Sequence, residues 1–194
     1  MKLIIKHQAS YSRGQLLLRT LFGFFYIMIP HYFMMFFCMI YAAFLSFFAW
    51  WAILFTGRYP KSFFNYQVGM LRWTIRLEAR LGNLADGDIS FFPSGQDDRT
   101  SLEVPYPEKM SRGGLLVRTF FGILYIFIPH AFCLFFRSLL GGLLRFFAWW
   151  VILITGTYPE WMHAYQVGTI RWQIRLNLIL SNLSEEYPKF SGEE

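Results

Sequence analysis

The sequence predicts an all-α integral membrane protein made of two tandem repeats. Three observations carry that expectation: an apolar composition, two long runs almost free of charge, and near-identity between the halves. The chain of 194 residues is 55% hydrophobic and 21% aromatic but only 15% charged. Its mean hydropathy is positive. A soluble domain of this size needs a more charged surface. A formal net charge of +6 could suit nucleic acid. Beside this apolar content it points instead to an anionic membrane surface.

The repeat is read by aligning Arg13 with Arg112, an offset of 99 residues (112 − 13) that holds without a gap. "SRG" at 12–14 matches 111–113, "IPH" at 29–31 matches 128–130, and "YQVG" at 66–69 matches 165–168. "TG" at 56–57 matches 155–156, and "RW" at 72–73 matches 171–172. This is the signature of a duplication and names no chemistry. Residues 1–84 form the first repeat, 85–109 an acidic exposed linker rich in Gly, Pro, Ser and Asp, and 110–194 the second repeat with its acidic tail.

Each repeat opens on an apolar run, 16–56 and 115–155, long enough for two passes of about 20 residues each. The expected form is a transmembrane or re-entrant helical hairpin. Its turn is expected at the Gly141–Gly142 pair, between Arg137 and Arg145 snorkelling at the far interface. The repeated phrases "FFAWWAILFTGRYP" and "FFAWWVILITGTYP" are the exits from the hairpins. Trp50, Trp51, Trp149 and Trp150 would approach the headgroups, and Gly57–Pro60 and Gly156–Pro159 would make the turns.

Beyond each exit, 60–84 and 159–183 place apolar residues at spacings of three and four, the period of an amphipathic helix. Arg72, Arg76 and Arg80 form a stripe beside Trp73, and Arg171, Trp172 and Arg175 repeat it. Such helices are expected to lie in the interface with their arginines on lipid headgroups. Gly69 and Gly168 would admit a second helix at close range, or be neutral positions on the surface helix. Basic residues on both flanks of the hairpin place termini and linker in the cytoplasm. Cys38 and Cys133, both in apolar runs, are expected as buried, reduced thiols, and no removable signal peptide is recognised.

The ordered set "YPEKMSRG" (106–113), "IPH" (128–130), "FFAWWVILITGTYP" (146–159), "RW" (171–172) and "YPKF" (187–190) resembles a bacterial multi-pass inner-membrane family catalogued only as a domain of unknown function. The resemblance implies an inner-membrane protein and supplies no catalytic residues.

His31 and His130 are the sharpest candidate site, ionisable groups at equivalent positions in apolar runs. They could ligate a haem between the hairpins, or hydrogen-bond the helix carbonyls that Pro30 and Pro129 leave unpaired. No Asp or Glu interrupts either apolar run, and no HExxH, P-loop or Gly-x-Ser-x-Gly motif occurs. No metal site and no catalytic residue is expected. The reading is therefore a non-enzymatic scaffold or accessory subunit of a larger membrane complex. Its partners would be anionic lipid and other integral membrane subunits, or further copies of itself, and not nucleic acid. Bound phospholipid is the expected ligand. The alternatives are a haem- or quinone-binding redox subunit using His31 and His130, and a component of lipid or anion transport.

Overall fold

The computed structural model describes residues 1–193. In chain order they form β1 (Lys2–Ile5), α1 (Arg13–Gly23), a π-helical segment Phe24–Met28, α2 (Ile29–Thr56) and α3 (Lys61–Leu81). Then come β2 (Thr100–Glu103), α4 (Arg112–Gly122), a second π segment Ile123–Phe127, α5 (Ile128–Thr155) and α6 (Glu160–Leu180). Helix dominates, and β1 pairs antiparallel with β2, with Leu3 opposite Leu102. The all-α expectation includes no strand. The pair closes over the core through Leu3, Ile5 and Leu102.

The hairpin expectation is corrected. α1, the π segment and α2 run on as one helix of 44 residues, and α4 to α5 as another of the same length. Ser12 and Ser111 cap their starts by accepting from the N–H groups of Gln15 and Gly114. Gly57 and Gly156, at φ of 70° and 75°, end them in the left-handed region that glycine enters without strain. The Gly141–Gly142 pair lies inside α5. Gly141 is there for contact, since Gln166 of α6 donates to its carbonyl at 2.5 Å. Pro30 and Pro129 bend the bonding pattern without breaking the helix. The N–H groups of Ile29 and Ile128 reach back five residues, to Phe24 and Ile123.

α3 runs back along its own long helix. Tyr66 bonds Cys38, Gln67 bonds Ala42 and Ser46, Trp73 meets His31, and Asn83 beyond the helix end bonds Arg19. α6 follows α5 in the same way, through Tyr165 to Arg137, Gln166 to Gly141 and Asn182 to Arg118. The two halves join end to end. Arg13 donates to the Ile154 carbonyl and Arg112 to that of Phe55, so the long helices are antiparallel and each starts where the other stops. Val68, Leu71, Ile75 and Ala79 of α3 share the central core with Val167, Ile170, Ile174 and Leu178 of α6.

α3 and α6 are therefore not interfacial helices. One face meets the long helix, another meets the opposite half, and the arginine face is roofed by the linker or the tail. The linker is correspondingly a docked cover rather than a loose connection. The cysteines are free, but Cys133 is exposed and Cys38 only half-buried, against the expectation of two buried thiols.

Candidate functional site

His31 enters from the start of α2 onto Trp73 of α3. The indole N–H donates to its Nδ1 at 3.1 Å, and Phe91 of the linker stacks on the ring at 3.9 Å and 6°. In the second half Trp172 donates to Nδ1 of His130 at 2.8 Å, and Phe190 stacks at 3.8 Å and 12°. Since Nδ1 accepts, the proton of each neutral imidazole sits on Nε2. That of His130 is buried without a hydrogen-bond partner. The lone pair of each neutral ring, on Nδ1, already accepts an indole N–H. The histidines belong to separate apolar clusters, one around Trp73 and one around Trp172, so they do not form one site.

The carbonyl released by a proline is served differently from the expectation. Pro129 leaves Tyr125 without its usual helical donor, and the hydroxyl of Tyr187 donates to that oxygen at 3.0 Å. The imidazole does not take that role. Tyr187 and Phe190 belong to the "YPKF" segment, which therefore holds the tail against the start of α5.

The arginines expected on lipid headgroups bond the linker and tail instead, with Arg76 and Arg80 buried and Arg72 exposed. Arg72 donates to the Leu102 carbonyl of β2 at 3.0 Å. Arg76 reaches the carbonyls of Gly95 and Phe92 at 2.5 and 2.6 Å. Arg80 forms a bidentate pair with Asp97 at 2.7 and 3.0 Å, and Thr100 also donates to that carboxylate. These donors hold the Asp97 carboxyl below the usual carboxylate range despite its burial. In the second half Arg171 donates to Gly192 and to Leu3 of β1, and Arg175 to Ser191 and Glu193. A guanidinium offers several donors in a planar fork, which suits the gathering of loop carbonyls. Arginine periodicity marks where the cover docks, and composition alone could not separate that from a lipid-facing stripe.

Gly69 and Gly168 admit the cover, not a second helix. A Cβ on Gly69 would stand 2.8 Å from the Pro93 side chain, and one on Gly168 would stand 3.0 Å from the Gly192 carbonyl. Arg137 also faces inward, donating to Thr169 and lying 4.3 Å from the centre of the Tyr165 ring. Arg145 donates to Gln166 at 3.4 Å.

The exit tryptophans divide in pairs. Trp51 and Trp150 are exposed, whereas Trp50 and Trp149 reach across to the other half. Gly57 accepts from Met110 N–H and Gly156 from Tyr11 N–H, so each exit turn anchors the entry of the opposite half. Pro60 and Pro159 stand at the N-caps of α3 and α6. His7 and His163, isolated in sequence, meet at 5.0 Å between ring centres beside Tyr158. Burial depresses His163 to about 4, opposed by its contact with the Leu84 carbonyl and aided by His7. Only the folded chain brings these together.

The outward faces of the long helices are mainly apolar. From Leu17 to Phe55 the first long helix exposes rows of Phe, Leu, Tyr and Ile, and the second does the same from Leu116 to Ile154. Both helices are long and apolar enough to cross a membrane. Among the described residues no group of three or more His, Cys, Asp or Glu could hold a metal ion. No curated protein and no solved structure matches the chain. Residues 114–192, running from the start of α4 to the docked tail, match the family described as Domain of unknown function (DUF4389).

Proposed function

We propose that the protein is a non-enzymatic, lipid-embedded scaffold or accessory subunit of a larger complex in the bacterial inner membrane. One observation carries the reading: Arg76, Arg80 and Arg171 are engaged by the linker and tail, while two long helices leave their aromatic side chains uncovered. Contiguous apolar surface on this scale calls for lipid or a partner. The halves, duplicated about an approximate twofold, would present that surface twice.

Native mass spectrometry of the protein extracted in mild detergent from its own host tests this. A second polypeptide in stoichiometric amount supports the accessory role. A chain carrying lipid alone supports a self-contained membrane module and removes the larger complex. A haem-sized increment would overturn the reading, because neither histidine has a free lone pair in the fold described.

A further inference from the structure

We infer that the two long helices lie in the plane of the membrane, with their aromatic faces sunk into the acyl chains of a single leaflet, and do not cross the bilayer. The inference rests on the membrane reading above and specifies what covers the exposed face. Length gives the first argument. Each helix has 44 residues. At 1.5 Å per residue its contour is about 66 Å, bent at the π segment and proline, against a hydrocarbon core of about 30 Å. The exposed apolar face runs almost end to end, from Leu17 to Phe55 and from Leu116 to Ile154. One upright pass does not contain a contour of that length.

The polar cover gives the second, independent argument. It does not cap the helix ends but runs alongside the helices. At one end Asp86 pairs with Arg19 at 2.6 Å. At the same end Asp97 holds Arg80, and further along Phe91 stacks on His31 and Arg72 ties β2. The β1–β2 pair then leads to the second half, where Arg171 bonds Leu3. At the other end Glu185 stands 3.6 Å from Arg118. Lys2 and Glu103 are exposed on the β1–β2 pair midway along this cover, and Asp98 and Arg99 are exposed toward the Asp86 end. In a crossing orientation some of them would sit at hydrocarbon depth, at about 2.5–3.5 kcal/mol for each charge near the centre. With the helix axes parallel to the membrane, the cover faces water throughout and the aromatic rows face lipid throughout. No other orientation in a planar bilayer satisfies both faces. Helices inserted in this way sink about 5–10 Å, so the occupant is the outer part of one leaflet.

The test is a depth profile. In a Cys38→Ser, Cys133→Ser background, single bimane labels are placed by Phe22→Cys, Phe36→Cys and Phe48→Cys, three exposed positions along the first long helix. The protein is reconstituted in vesicles of phosphatidylcholine and phosphatidylglycerol containing lipids brominated near either end of the acyl chain. In-plane insertion gives the same shallow quenching ratio at all three sites, within about twofold. A ratio deepest at Phe36 and shallow at Phe22 and Phe48 is the profile of a crossing helix and would overturn the inference. Phe121→Cys, Phe135→Cys and Phe147→Cys repeat the measurement on the second helix, so one misfolded variant does not decide the outcome. Failure of the unlabelled protein to float with vesicles removes the membrane reading itself, a result separate from either profile.

Discussion

Trp50 donates its indole N–H to the hydroxyl of Thr119 at 2.9 Å, and Trp149 donates to Thr20 at 2.8 Å. Each bond joins the end of one long helix to the beginning of the other. With the Arg13 and Arg112 contacts to the opposite helix ends, they make the two halves a single body. The repeated tryptophan pair thus has two tasks, one ring facing outward and one reaching across.

Trp50→Phe and Trp149→Phe keep an aromatic ring and remove the donor. Each is expected to lower stability by about 0.5–1.5 kcal/mol, the net worth of a single hydrogen bond. The double variant is expected to lose about the sum, measured by denaturant unfolding in detergent. A loss confined to one site would mean that the two junctions do not share the load.

Arg80 and Asp97 are both nearly buried, with side-chain exposures of 3% and 7%. Arg80→Ala leaves the carboxylate without its main partner and is expected to cost about 3–5 kcal/mol. The Arg80→Met, Asp97→Leu pair removes both charges and is expected to recover most of that loss. Equal losses in single and double variants would contradict the assignment of the penalty to an orphaned charge.

Gly69→Ala forces a methyl group against Pro93, and Gly168→Ala against the Gly192 carbonyl. Overpacking of this kind costs about 1–3 kcal/mol. Gly69→Ala is expected to lift the linker, loosen Phe91 from His31 and shift the emission of Trp73 toward longer wavelength. Gly142→Ala is the control: a Cβ there meets nothing within 4 Å, and the substitution removes a flexible residue from a helix interior, so stability is expected to hold or rise.

His163 lies at about 4 in the folded chain, against 6.5 when unperturbed. The unfolded chain therefore takes up the proton first as pH falls. Stability is whole above about 6.5 and declines through the window from 6.5 to about 4. The full shift corresponds to at most about 3 kcal/mol. His163→Gln is expected to flatten that part of the stability–pH curve, read by thermal unfolding at stepped pH. Asp97 adds a second loss at lower pH: its folded value is depressed, so its contribution fades as pH falls below the ordinary 3.8.

Much of the architecture was legible without coordinates. The helical character, the apolar outer rows, the exit turns at Gly57 and Gly156 and the three-to-four spacing of α3 and α6 are local properties. Each depends on residues within a turn or two of one another. Arg72, Trp73, His31 and their counterparts were visible as exceptional residues for the same reason. A charge or an imidazole in an apolar pattern stands out wherever it points.

What each of those residues faces was not legible. Periodicity assigns a residue to a side of a helix but not to the body that covers the side. The stripe of Arg72, Arg76 and Arg80 was therefore read as a lipid-facing row, although it anchors the linker. The Gly141–Gly142 pair was read as a turn, because glycines between arginines can end a helix. In the fold, α6 packs against that point and Gln166 takes a backbone carbonyl there, which keeps the helix continuous. The sequence by itself determined which segments are helical and which surfaces are apolar, since both follow from short-range order. Only the tertiary structure decided that the long helices are unbroken, that they run antiparallel and that the acidic segments dock over the arginines. Those outcomes depend on contacts between residues far apart in the chain, and no local pattern encodes them.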